Sequence, residues 1–295
     1  MDRKGIAFET LQILEQGSYQ SPSGRSVDIA ADLLACVTNT ECHTPNDLAG
    51  IRDQVLQRSA GYDATFFEVE NETTLRGSAR LAASHVNSRI GVLNFASAKN
   101  PGGGFRGGAQ AQEESLARSS GLYPSLLQGS PYYRYHRSHR NLFYSDHMIY
   151  SPGCPVFRND NGILLEQPYL VDFITSPAPN AGAMKQASGD LAAKLQEVFS
   201  ERASKLLGLA IHQGCDVLVL GAWGCGVFRN DPAMVSQVFW ELLGPDMPYE
   251  KRFQTVAFSV LDRSQDQRIY NVFLERFAAT NDCWCARAAS LTEMS

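Results

Sequence analysis

The chain has 295 residues, of which 44% are hydrophobic and 19% charged, enough for one large α/β domain or two small ones whose core needs neither metals nor disulfides. Its formal net charge of −5 argues against a protein that coats nucleic acid, because a phosphate backbone is normally met by a basic face; a ligand with only a few phosphates, held by backbone N–H groups, stays open. No apolar run reaches the ~20 residues that span a bilayer, and Met1-Asp2-Arg3-Lys4-Gly5 begins no leader sequence, so an intracellular, cytoplasmic protein is expected (nuclear if the source is eukaryotic).

Apolar positions at Ile6, Leu11, Ile13 and Leu14 predict a helix over 5–16, ended by Gly17. Ser21-Pro22-Ser23-Gly24 reads as a turn between two short extended pieces. Residues 28–40 read as a second helix, and Thr44-Pro45-Asn46-Asp47 as a loop leading into a helix start. Residues 1–60 are therefore expected to form a helical extension packed on a main domain over 61–280, with a tail over 281–295.

From about residue 62 the pattern changes. A strand is expected over 65–69, a helix over 73–86, and a buried strand at the apolar run Ile90–Phe95. A glycine-rich loop follows, then one helix over about 110–128. The polar, tyrosine-rich stretch 131–144 reads as a surface loop. Further strands are expected over 147–151 and 169–175, the latter stopped by Pro177 and Pro179. A long amphipathic helix over 190–213 precedes a buried strand at 216–220. A second glycine loop, a helix over 232–243, a strand over 255–261 and a helix over 265–279 complete the chain. Strands alternating with helices imply a largely parallel sheet covered on both faces. Neither repeats nor linkers interrupt it.

The seven cysteines are odd in number and scattered, and none forms a CxxC pair, so no disulfide framework or zinc site is expected. Cys283-Trp284-Cys285 is given no function. His136, His139 and His147 share a Tyr- and Arg-rich stretch without metal-ligand spacing, and His43, His85 and His212 are isolated. That stretch has the residue types to stack on bases and pair with phosphates, although a plain surface loop explains it more simply.

Two loops concentrate the chemistry. The first runs from Asn94 to Glu114, and five of the seven positions 102–108 are glycine. Such density permits positive φ and close backbone approach to a ligand. Its exit is a helix N-terminus, which favours anions, and its entry is the carboxyl end of a strand, where ligand crevices of open α/β sheets lie. Glu113 and Glu114 by themselves would complement the helix dipole; beside a triple and a double glycine they point to chemistry. The second loop, Gly221 to Asp231, also joins a buried strand to a helix. It fails as a dinucleotide fingerprint, because Arg229 stands where glycine or alanine is required. Its glycines suit a diphosphate, and Phe228 suits a sugar or base. Trp223 reads as packing. Together the loops suggest a ligand with an anionic middle and a chemically addressed end.

Gly102-Gly103-Gly104, seven intervening residues, then Gln112-Glu113-Glu114 resembles the signature of poly(ADP-ribose) glycohydrolases. The flanks Asn94–Pro101 and Ser115–Ser120, and the segment Val171–Asn180, resemble the compact bacterial and fungal branch, and the second loop resembles the diphosphate loop of macrodomains. The likeness covers roughly residues 60–280. It implies a macrodomain-like three-layer α/β/α sandwich with a mixed, largely parallel sheet, and release of ADP-ribose from poly(ADP-ribose) at chain ends. It also implies ADP-ribosylated proteins as partners and a monomer, with no cofactor, metal, nucleic acid or membrane. By the same resemblance Glu114 is catalytic and Glu113 helps hold ribose hydroxyls. Asn100, Gly102, Gly103 and Gly104 line the distal ribose, and Gln112 joins the substrate-binding set. Gly224, Cys225, Gly226, Val227 and Phe228 wrap the diphosphate, with Phe228 pressing on the distal ribose.

The bond at stake is an acetal between two riboses, and its cleavage passes through an oxocarbenium-like state. Adjacent helical residues point about 100° apart, so Glu113 and Glu114 are not expected to flank the bond from opposite sides. One residue, Glu114, then serves as acid and base in turn. A mono-ADP-ribosyl-protein hydrolase and a non-catalytic ADP-ribose reader are the alternatives, the latter disfavoured by the intact pair of glutamates.

Overall fold

The computed structural model describes residues 2–139, 141–184 and 190–277. The chain opens on helix α1 (Arg3–Gln16), capped by the Asp2 side chain and closed by Gly17 at φ 69°. A hairpin of β1 (Ser18–Gln20) and β2 (Ser26–Asp28) follows, then α2 (Ala30–Thr38). Helix α3 (Pro45–Leu56) starts at a reciprocal capping box between Thr44 and Asp47, which satisfies two otherwise orphaned donors. Between α2 and α3 lies β3 (Glu41–His43), which pairs antiparallel with the main sheet. The N-terminal sixty residues are thus more than helical: they supply a sheet edge, in a strand of three residues, too short to show alternation.

The remaining elements are β4 (Phe66–Glu70), α4 (Thr74–Ser84), β5 (Ile90–Phe95), α5 (Gln112–Ser119), α6 (Leu122–Gln128), α7 (Ser130–Ser138), β6 (Met148–Arg158), β7 (Leu164–Ser176), α8 (Asp190–His212), β8 (Val217–Leu220), α9 (Pro232–Leu243) and β9 (Thr255–Ser259). A helical run over 268–277 ends the described chain; the rest of the helix expected to 279, and the Cys283–Cys285 pair, lie outside the described residues. Three expectations need correction. The single helix over 110–128 is broken, because Ser120 leaves it to bridge Val156 of β6. The polar stretch after 130 is helix α7, with Tyr132, Tyr133 and His136 buried. Finally, β6 and β7 are far longer than expected and form an antiparallel pair, with a register shift between Ser151 and Cys154 that absorbs Gly153 at φ 53°.

Among the described residues, seven strands make one sheet in the order β3-β6-β7-β5-β8-β9-β4. The five from β7 to β4 pair in parallel; β6 runs antiparallel to β7, and β3 antiparallel to β6. Side chains alternate between faces as a pleated strand requires: Val217 and Val219 join one apolar cluster, Leu218 and Leu220 the other. Helices α3, α8 and α9 cover the face of Leu218, while α2, α4, α5, α6 and α7 cover that of Val217. The result is a three-layer α/β/α sandwich with a mixed, mostly parallel sheet. Among the described residues no helix is long and apolar enough to cross a membrane.

Candidate active site

Parallel strands place all their carboxyl ends on one edge, and there the structure holds a cavity of about 770 Å³. Its walls come from the loop after β5, the start of α5, the loop after β8, the residues after β9 and the start of α4. Asn100, Gln112, Glu113, Glu114, Gly224, Cys225, Gly226, Val227 and Phe228 all line it. Gly102, Gly103 and Gly104 do not; they stand behind the glutamates.

The first loop is a series of tight turns. Gly102 and Gly103 have φ of 68° and 59°, a region costly for any residue with a Cβ. A Cβ on Gly103 would fall onto Oε1 of Glu114 and 3.3 Å from Oε2 of Glu113. Both carboxylates therefore turn back over the helix start toward one backbone position, although their side chains leave α5 in different directions. The amide of Gly104 donates to Glu114 Oε1 at 3.0 Å. The buried Glu113 accepts from the Ser97 amide at 2.6 Å and from Asn94 Nδ2 at 3.4 Å. Burial, reinforced by the Glu114 charge and opposed by those donors, pushes Glu113 up to about 8. In the free protein it is then largely protonated at neutral pH. Gln112 staples α5 to β5: its Oε1 accepts from the Phe95 amide at 2.8 Å, and its Nε2 donates to the Leu93 carbonyl at 2.7 Å and to Thr74 Oγ1 at 3.2 Å.

The loop is held from behind by α1. Phe105, fully buried, packs with Ala7 of α1 and Ala117 of α5, and Thr10 donates to the Arg118 carbonyl at 2.6 Å. Arg118 itself donates to the Ala109 carbonyl at 2.6 Å and to the Gln110 side chain, tying down the loop's return leg beneath Glu114.

In the second loop Gly224 has φ of 75°, and a Cβ there would meet Asn230 Nδ2 and, at 2.5 Å, Ala178. Asn230, buried, donates to the carbonyls of Pro179 at 2.9 Å and Gly224 at 3.1 Å. Asp231 caps α9 by accepting from the Ala233 amide, so the loop ends at a helix N-terminus where backbone N–H groups meet anions. Burial pushes the Cys225 thiol up, which keeps it a neutral wall residue. Trp223 is fully buried against Phe199.

Several wall residues carry no motif and escape sequence reasoning. Phe95, Val260, Leu261 and Ile269 give one end of the cavity an apolar lining, accompanied by Glu72 and Arg263. Tyr144 sits at φ 56° with its ring 5.9 Å from that of Phe228. A left-handed backbone on a bulky residue persists only where its surroundings over-determine it. Here Arg202, 1% exposed, donates to the Phe143 carbonyl at 2.8 Å and to Asp146 at 2.8 Å, and so brackets Tyr144 from both sides. The hydroxyl of Tyr144 has no hydrogen-bond partner among the described residues. Also among the described residues, no group of three or more His, Cys, Asp or Glu is placed to hold a metal ion.

Residues 7–159 match the family model described as microbial-type PARG, catalytic domain. A search of curated proteins gave no match. Among solved structures, the poly(ADP-ribose) glycohydrolase of Thermomonospora curvata is 48% identical, with a TM-score of 0.88 over 93% of this chain and 99% of that one. Its structure bound to the inhibitor ADP-HPD is matched at 47% identity and a TM-score of 0.86, over the same shares. The enzyme from Deinococcus radiodurans in complex with ADP-ribose is 43% identical, with a TM-score of 0.77 over 84% of this chain and 97% of that one. A sandwich with two glycine loops on its strand ends, and a pair of glutamates turned onto one of them, accordingly makes this chain a member of the microbial-type poly(ADP-ribose) glycohydrolase family.

Proposed function

We propose that this chain hydrolyses the ribose–ribose bonds of poly(ADP-ribose) and releases ADP-ribose from chain ends, with Glu114 as acid and base in turn. The observation that carries the reading is the Glu114 carboxylate, fixed by the Gly104 amide at the edge of a cavity whose other wall is a glycine loop ending at a helix N-terminus.

The strand order supports one orientation of the ligand. From β4 to β5 is three strand spacings, about 14 Å. The apolar lining of Leu261 and Ile269 follows β9, the glycine loop follows β8, and the glutamates follow β5. An extended ADP-ribose fits this sequence with its base at the apolar end, its diphosphate on the glycine loop and its distal ribose between Phe228 and the glutamates. A cavity of this volume falls in the ordinary range for one small ligand, about 300–1,000 Å³, which favours one terminal unit over an internal stretch of polymer.

Chemistry then follows from position. The leaving oxygen would depart as an alkoxide, so Glu114, entering the step as the neutral carboxylic acid, gives it a proton as the bond to the anomeric carbon opens. Positive charge on the ribose is countered by the ligand's own diphosphate. Glu114, now ionised, takes a proton from the water that attacks the anomeric carbon. Protonated Glu113 is a donor to a ribose hydroxyl. The test is a product assay on purified poly(ADP-ribose) that resolves free monomer from longer fragments. Monomer from the first time points is expected, and early accumulation of long fragments would replace release at chain ends with internal cutting.

A further inference from the structure

The strand order also gives a direction beyond Glu114. Past β5 the sheet continues through β7 to β6, and on that side lie α7 and the segment 141–147 that enters β6. A second cavity, of about 370 Å³, opens there between Tyr135, His136, His139, Asn141, Tyr144 and Ser145. Tyr144 belongs to the walls of both cavities. The bond cut at Glu114 joins the terminal ribose to an adenosine hydroxyl of the next unit. What lies just past the leaving oxygen is thus a purine nucleoside followed by a diphosphate.

The residues on this side suit that chemistry. The rings of Tyr135 and His139 stack at 4.0 Å with 12° between their planes; the ring of His147, 4.3 Å away, backs Tyr135, so the exposed His139 presents the outer face of the stack. Burial and the neighbouring His147 push His136 down to about 4, so the inner wall is neutral and does not repel a base. Of three cations on this side, one lines the first cavity and two stand on α7 outside the walls of both. Lys99 lines the first, Arg137 donates from Nε to the Lys99 carbonyl at 2.8 Å, and Arg134 is exposed one turn earlier on α7. None of the three has a carboxylate partner among the described residues. In a chain of net charge −5, a face of unpaired cations beside a stacked aromatic pair matches a single-stranded polyanion carrying bases.

We propose that this face is the subsite for the unit left behind by cleavage, with the Tyr135–His139 stack carrying its adenine and Lys99, Arg134 and Arg137 meeting its diphosphate. The proposal rests on the glycohydrolase reading above and names where the rest of that substrate lies. The test uses the full chain with purified poly(ADP-ribose), and free ADP-ribose as the probe of the first cavity. In the double variant Tyr135→Ala, His139→Ala, KM for polymer is expected to rise about tenfold or more, the loss that follows removal of one base–aromatic stack. The Kd for ADP-ribose should stay at the wild-type value. Tyr135→Phe, which keeps the ring, should keep the wild-type KM, and Arg134→Gln should flatten the salt dependence of KM. An unchanged polymer KM in the double variant overturns the proposal. So does a Kd for ADP-ribose that rises in step with KM, which would place the damage in the first cavity. Wild-type protein that releases no ADP-ribose would instead overturn the reading beneath it.

Discussion

Glu114 is anchored by the amide of Gly104, ten residues upstream, across a 3.0 Å hydrogen bond that closes the first loop on its own helix. The carboxylate is thereby fixed by backbone and not by another side chain. Glu114→Gln keeps an acceptor for that amide and removes the proton transfer. We expect ADP-ribose affinity to hold, by calorimetry, while monomer release falls about 10²–10⁴-fold. Wild-type turnover in this variant would remove Glu114 from the mechanism.

Gly103 tests the same anchor from the other side. Its φ of 59° costs a residue with a Cβ about 1–2 kcal/mol, and the added carbon would displace the Glu114 carboxylate. Gly103→Ala should lower Tm modestly yet reduce kcat about a hundredfold, the effect of shifting a reacting group by about 1 Å. A loss of kcat no greater than the loss of folded protein would mean the loop has slack.

Glu113 gives the fold a pH dependence of known sign. Its pKa is raised from 4.5 to about 8 in the folded state, so the folded chain binds more protons than the unfolded one between those values. This contribution to stability is fully present below about pH 4.5 and is lost as pH rises through about 8. Glu113→Gln cannot ionise, and its Tm should fall less than that of the wild type between about pH 5 and about pH 9. Parallel Tm profiles for the two proteins would contradict the buried, protonated state.

Gly224 sets the second loop. Gly224→Ala puts a carbon against Asn230 and Ala178 at a φ of 75°, so the loop must move away from the diphosphate position proposed above. ADP-ribose Kd is expected to rise about tenfold or more, the cost of one or two lost backbone hydrogen bonds to a charged group. An unchanged Kd would mean the diphosphate lies elsewhere.

Tyr144 separates function from stability. Glycine is at ease at its φ of 56°, although it also loosens the unfolded chain. Tyr144→Gly should therefore leave Tm close to that of the wild type while weakening ADP-ribose binding. If binding survives intact, the strained tyrosine serves packing alone.

Much of this was legible from residue order. Helix α9 and strand β5 begin and end where their apolar runs and flanking turn residues put them, because a buried parallel strand and a proline-started helix leave little choice. The glutamate pair and the second loop stand out by composition, and both line the cavity. What stayed hidden depends on partners distant in the chain. Ser120 leaves its helix to pair with Val156, an override of local propensity by tertiary contact. Helix α7 looks polar because tyrosine and histidine fill its buried positions. The triple glycine reads as ligand-lining because flexible loops often are, whereas here its bareness makes room for a carboxylate. Tyr144 has no motif at all, and its place in the wall depends on Arg202, fifty-eight positions later.

Helix α1, which reads as an appendage, packs Ala7 on Phe105 of the first glycine loop and holds the Arg118 carbonyl through Thr10. A version of this protein without α1 would leave Phe105 without Ala7 and the Arg118 carbonyl without Thr10, and so loosen the loop that holds Glu114. Helix α1 is thus part of the frame that sets where the Gly104 amide, and with it Glu114, stands.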